Sequence, residues 1–200
     1  MSAYSLLPVR PSTTTTASHR RLSTAEDRRE DVLEAAMDVF GERGFLGTPT
    51  MEVAKAAGIS QAYLFRLFPK KADLVMAVVE RSNQRIYDLF TKAAAIARAE
   101  GREPLLAMGM AYHDELLKDR RLLLTQIHAH AAAAAMPEVA EAGRRGFARL
   151  VDLVERETGA SPDEIQGFFA HGMLMNVMAS LGVTDEHGQW AETLRCAPGQ

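Results

Sequence analysis

The stretch TPTMEVAKAAGISQAYLFRLFPKK, residues 48–71, decides the fold. It reads as two short helices joined by a tight turn, with the second helix pushed outward. Thr48 is placed to cap the first helix and Pro49 to open it, because proline's missing N–H would be an orphan there anyway. Val53, Ala54 and Ala57 give that helix one thin apolar face, and Gly58 supplies the positive φ that ends it. Ser60 caps the next helix, with Ile59 before it and Leu64 four residues after it, the spacing of a hydrophobic staple. Leu64, Leu67 and Phe68 face inward, and Pro69 biases Phe68 out of the helical region, which stops the helix. Gln61, Ala62, Tyr63 and Arg66 are left on the outward, N-terminal end. A helix-turn-helix motif reads base edges from that position.

A helix-turn-helix hairpin can also exist for packing alone, so the side chains decide. Gln, Tyr and Arg suit base and phosphate contacts, and Lys70 and Lys71 follow where phosphates would lie. Upstream, Ser23 and Glu26 have capping-box spacing. Val32, Leu33, Ala36, Val39 and Phe40 form a helical stripe ending at Arg43-Gly44, a support for the inner faces of the motif helices. Its acidic residues Glu30, Asp31, Glu34 and Asp38 read as a solvated face. Residues 1–22, with Pro8, Pro11 and a threonine run at 13–16, read as a disordered arm. Arg20 and Arg21 in it either track a phosphate or belong to a solvated linker.

Downstream, a long helix from Lys71 carries Leu74, Val75, Val78, Val79, Ile86, Leu89, Phe90, Ala93 and Ile96 in helical period to about Arg98. Gly101 breaks it, and helices are expected over 104–118, from 120 into the alanine run 131–135, and from Pro137 to Gly159. Ser161, Pro162 and Glu164 combine a cap, a first-position proline and a capping-box acid. The segment 162–181 that follows is apolar nearly all round, so it must be covered on more than one side. Either it is the central helix of a monomer or a second copy covers it. No stretch alternates convincingly as a strand. The expectation is an all-α chain of about nine helices: a helix-turn-helix domain over 23–71 and a helical domain over 72–200.

The charge of −3 over 200 residues excludes a wholly cationic nucleic-acid binder. The imbalance is local: residues 1–71 carry a net +2 and the remainder −5, a basic head on an acidic body. The single cysteine, Cys196, precludes an intrachain disulfide and suits a reducing cytoplasm. There is no secretory h-region and no run of about 18 apolar residues that a membrane span requires.

Catalytic and metal signals are lacking. His128 and His130 lie two apart on a helix and point to different faces, so they cannot chelate one ion. His113 and His171 stand alone, and His187 sits in a polar loop beside Asp185 and Glu186. No H-E-x-x-H, Gly-rich phosphate loop or G-x-S-x-G occurs. Neither enzymatic activity nor a cofactor is expected.

The string Gly44-Phe45, Thr48, Val53-Ala54, Ala57-Gly58-Ile59-Ser60, Leu64-Phe65, Phe68 and Lys71-x-x-Leu74 closely resembles the DNA-binding domain of the TetR family of transcriptional regulators. The resemblance implies contacts to double-stranded DNA from Thr48, Thr50, Ser60, Gln61, Ala62, Tyr63, Arg66, Lys70 and Lys71. Gln61 and Tyr63 would read bases, and Thr48, Ser60 and Lys71 would hold phosphates. Phe65 stands where the family usually has a tyrosine and Leu67 where a histidine is common, so two donors are lost. Lys70 replaces a short polar cap. Arg66, Lys70 and Tyr63 could restore phosphate contacts.

The resemblance further implies a homodimer on a palindromic operator, joined by an intersubunit four-helix bundle. Phe169, Met173, Val177, Leu181, Trp190 and Leu194 would supply the apolar contacts of that bundle. It also implies a small, apolar effector held among the middle helices, with Met108, Tyr112, Ile127, His128, Phe147, Phe168 and Met175 as lining candidates, each of which could equally be core. The expected role is a cytoplasmic regulator, a repressor by family habit, released by its effector. The alternative is a helical interaction module, or a regulator that senses a protein partner.

Overall fold

The computed structural model describes residues 25–183 and 187–195. Among them are nine α-helices and no strand: α1 Ala25–Arg43, α2 Thr50–Ala56, α3 Gln61–Leu67, α4 Lys71–Ala99, α5 Pro104–Ala111, α6 Arg120–Ala133, α7 Pro137–Thr158, α8 Pro162–Ser180 and α9 Gln189–Arg195. The arm 1–22, Ser23, Asp185, Glu186 and Cys196 lie outside the described residues.

Local chemistry explains most boundaries. Gly58 takes φ 65° between α2 and α3, a value that only glycine adopts freely. The Ser60 hydroxyl accepts from the Tyr63 N–H at 3.1 Å and caps α3. Ser161 and Glu164 make the expected reciprocal box: Ser161 N–H donates to the Glu164 carboxylate at 2.8 Å, and Glu164 N–H to the Ser161 hydroxyl at 3.4 Å. The Ser161 hydroxyl, which donates to the Glu164 carboxylate at 2.7 Å, and then the Ser161 N–H hold that carboxyl below its ordinary value.

Two boundaries differ from expectation. Thr48 does not cap α2; Pro49 occupies that position without a side-chain bond. Thr48 is buried instead, and its hydroxyl donates to the Gly44 carbonyl at 2.6 Å, closing the turn after α1. The helix expected over 104–118 is α-helical only to Ala111 and then winds as a π turn, Tyr112–Leu116, closed by Leu117 N–H on the Tyr112 carbonyl at 3.0 Å.

A single buried apolar cluster runs from Val32 and Phe40 on α1, through Leu64 and Phe68, along α4, to Leu153 on α7 and Ile165 on α8. α4 packs along α7 and α5, while α1 lies against α6. At the α1–α6 crossing a Cβ on Gly41 would stand 3.4 Å from the Arg121 carbonyl oxygen, so the two backbones approach closely. The acidic side of α1 is not simply solvated. Glu30 pairs with Arg81 at 2.6 Å, Glu34 with Arg81, Arg85 and Arg121, and Asp38 with Arg121 at 3.3 Å. Each pair is half-exposed and worth little alone. Together they tie α1 to α4 and α6.

Candidate functional site

Two places in the fold present side chains without full protein partners. The first is α3. Leu64 is buried and Phe68 just past the helix is buried with it, which fixes the helix by its inner side. Arg29 of α1 lies 4.2 Å from the centre of the Phe68 ring and donates to the Leu67 carbonyl at 3.4 Å, bracing the far end. The outward positions are then free: Gln61, Ala62 and Arg66 are exposed and Tyr63 partly so. The Arg66 guanidinium lies 5.7 Å from the centre of the Tyr63 ring, and Gln61 makes one long contact, Nε2 to the Thr50 hydroxyl, at 3.5 Å.

The remaining expected contact residues differ in availability. Lys70 is exposed, and its N–H donates to Asp73 at 2.9 Å to start α4. Lys71 donates Nζ to the Leu46 carbonyl at 2.9 Å, and partial desolvation holds its ammonium below the ordinary lysine value. Thr50 is buried to 9% exposure and Thr48 to 1%. Thr48 therefore drops out as a phosphate ligand, because its hydroxyl is enclosed and already spent on Gly44. Phe65 and Met51 are exposed at 39% and 60%, leaving apolar groups beside the polar ones.

The second place is a cavity of about 1230 Å³ among α4, α5, α6, α7 and α8. Of the expected lining residues it holds Tyr112, Phe147, Phe168 and Met175. Met108, Ile127 and His128 are not on it. Met108 is fully buried core. Ile127 and His128 share a helix with lining residues but sit on its other sides: His128 faces α1, with Nε2 3.2 Å from the Gly41 carbonyl and its ring edge-on to Phe45. His130, two residues on, does border the cavity and stacks on Phe147 at 6.1 Å. Desolvation lowers its pKa, although the residue as a whole is exposed.

Two residues expected at a subunit interface, Phe169 and Met173, line the cavity as well. Phe169 packs edge-on to Phe168 at 5.4 Å and to Phe147 at 6.1 Å. The other four, Val177, Leu181, Trp190 and Leu194, are exposed at 44%, 69%, 52% and 39%.

Periodicity missed the polar part of this cavity. Tyr112 OH lies 2.7 Å from Asn176 Oδ1 and 3.0 Å from Gln126 Oε1. Burial raises the Tyr112 pKa, and the two hydrogen bonds oppose that only in part. Asn176 is 1% exposed in the C-terminal turns of α8, in the apolar run from Met173 to Met178. Ser82 and Thr125 are likewise buried on the lining. The available signal was a polar residue at a phase that helical spacing marks as inward. Among the described residues no group of three or more His, Cys, Asp or Glu could hold a metal ion, and no helix is long and apolar enough to cross a membrane.

A short capped helix held outward by α1 and the start of α4, with one long helix leading to an all-helical body with a cavity, defines a helix-turn-helix fold. Residues 32–78 match the sequence profile of the bacterial regulatory proteins of the tetR family. The regulator RutR of Escherichia coli K12 is 36% identical over 62 residues, 31% of this chain and 29% of that protein. The activator FasR of Mycolicibacterium smegmatis is 30% identical over 94 residues, 47% of this chain and 42% of that protein. The chain thus spans less than half the length of these curated relatives. The fold agrees over a wider range. A Mesorhizobium loti MAFF303099 protein assigned to the TetR family superposes with a TM-score of 0.64 at 20% identity, covering 86% of this chain and 92% of that one. Salmonella enterica GusR gives 0.62 at 20%, covering 87% and 94%. Residues 32–78 are thus similar in sequence to the DNA-binding region of the tetR family, and the chain as a whole shares the fold of these solved structures.

Proposed function

We propose that this chain is a DNA-binding transcriptional regulator that occupies a palindromic operator as a homodimer and leaves it when a small molecule fills the cavity. The observation that carries the reading is α3: its back is anchored by Leu64 and Phe68 while Gln61, Tyr63 and Arg66 are turned outward together. Gln61 and Tyr63 are proposed to read bases. Ser60, Arg66, Lys70 and Lys71 are proposed to lie along phosphates, and Ala62 leaves room for the helix to approach. Thr50 contributes by orienting Gln61.

The division between a reading domain up to residue 71 and a sensing body beyond it belongs to the same proposal. A dimer follows from the weakness of one such motif, since two motifs about 34 Å apart read one face of the duplex. The apolar side chains left exposed at Val177, Leu181, Trp190 and Leu194 support α8 and α9 as the surface that a second copy covers. Repression fits this arrangement, because an occupied operator excludes polymerase until the effector prefers the non-binding shape. A coupling of about 1–3 kcal/mol changes operator affinity roughly 5–150-fold.

Selection of bound sequences from random duplexes by the full chain tests the reading. The expected consensus is two inverted half-sites with centres about 10 base pairs apart. A pool that stays random in dilute salt would reject it.

A further inference from the structure

The cavity has one chemistry along most of its wall and another at a few buried points. Phe90, Phe168, Phe169 and Phe147 meet edge to face and make an apolar, aromatic wall. Against this, Ser82 and Thr125 are 2% and 0% exposed, both border the cavity, and neither hydroxyl has a hydrogen-bond partner. A helical serine or threonine commonly satisfies itself on the carbonyl four residues back; these two do not. A buried hydroxyl left unpaired costs about 1–3 kcal/mol, so each is a donor and acceptor awaiting a group from within the cavity. Neighbouring Gln126 and Asn176 are already occupied with Tyr112.

Permanent positive charge is scarce on the lining, whose other basic groups are the imidazoles of His113, His130 and His171. Among the described lining residues there is no lysine and one arginine, Arg144, which is exposed and paired with Glu141 at 2.6 Å. The acids on the lining are exposed and engaged as well. Glu103 caps α5 through the N–H groups of Leu105 and Leu106, Asp114 faces His113 and Lys118, and Glu164 is held by Ser161. An ionised ligand seated at Ser82 and Thr125 would be desolvated without a counter-ion, which is costly.

We propose that the cavity takes an uncharged, mainly apolar molecule with one neutral oxygen function, a carbonyl or a hydroxyl, held by the Ser82 and Thr125 hydroxyls. This inference rests on the ligand-responsive reading above and gives its effector a chemical class.

The test is calorimetric titration of the full chain, without DNA, with three matched probes: 2-acetylnaphthalene, 2-naphthoate and 2-naphthylmethylammonium. The ketone is expected to bind saturably and the two ions at least tenfold more weakly. Thr125→Val keeps the shape and removes the donor, so ketone affinity falls about threefold to tenfold, the range of one hydrogen bond. The same change raises the melting temperature of the unliganded protein, because an unpaired buried hydroxyl is deleted. Ser82→Ala, checked for native circular dichroism, gives an independent loss of affinity. Either ion binding as tightly as the ketone, no binding of the ketone, or unaltered ketone affinity in both folded variants overturns the proposal. A duplex titration keeps the two readings apart: ketone binding with unchanged duplex affinity would reject ligand-driven release and leave the ligand class standing.

Discussion

Gly44→Ala probes the seam between the reading head and the body. Gly44 is buried at φ 76°, where an L side chain is strained by roughly 1–2 kcal/mol. Its added Cβ would also stand 3.3 Å from His128 Nδ1 and 3.4 Å from His128 Cε1. The imidazole must shift, and the shift lengthens the 3.2 Å bond from Nε2 to the Gly41 carbonyl, worth about 1 kcal/mol. The stiffer unfolded chain returns a few tenths. The expected loss is therefore about 2 kcal/mol in wild type but only about 1 kcal/mol in a His128→Ala background, where the ring is gone. Urea unfolding of the four proteins of this cycle, analysed at constant m-value, reads both numbers. Equal losses in the two backgrounds would refute the argument that α6 presses on the turn after α1. A loss below about 0.5 kcal/mol in wild type would refute the strain as well.

Arg66→Ala is expected to weaken binding to all duplexes alike and to lower the salt slope by about one unit, measured by anisotropy across salt concentrations. Gln61→Ala should instead relax preference at one base pair of each half-site, at a discrimination of about 1–3 kcal/mol, seen by repeating the sequence selection. Leu181→Glu, just past the end of α8 and at the most exposed of Val177, Leu181, Trp190 and Leu194, should yield a monomer by sedimentation equilibrium and lose tight operator binding. Tyr112 has its folded pKa raised above the unfolded value of 10.0, chiefly by burial. The neutral phenol's contribution to stability is thus complete below about pH 10 and is lost as pH rises through the folded value. Tyr112→Phe should flatten stability against pH in that alkaline range, while costing about 1–2 kcal/mol near neutrality through the bonds lost at Asn176 and Gln126.

By itself, the sequence determined what near neighbours along the chain determine. Ser60, Ser161, Gly58 and the prolines at 104, 137 and 162 act within one turn of their own positions, so the helix order and the outward face of α3 could be read directly. The tetR-family string lies almost wholly in that locally determined part. Only the tertiary structure decided which inward face meets a neighbour and which meets a void. Helical period marks Met108, Tyr112, Phe169 and Met173 alike as apolar. Yet the first is sealed in the core, the second opens a π turn into a cavity, and the last two, expected between subunits, line the same cavity. Nor does period show that His128 turns to α1 and His130 to Phe147, or that Thr48 spends its hydroxyl inside a turn. The physical reason is that periodicity records only whether a side chain leaves water. What it meets depends on how α4 to α8 are spaced against one another, and contacts between residues far apart in the chain set that spacing.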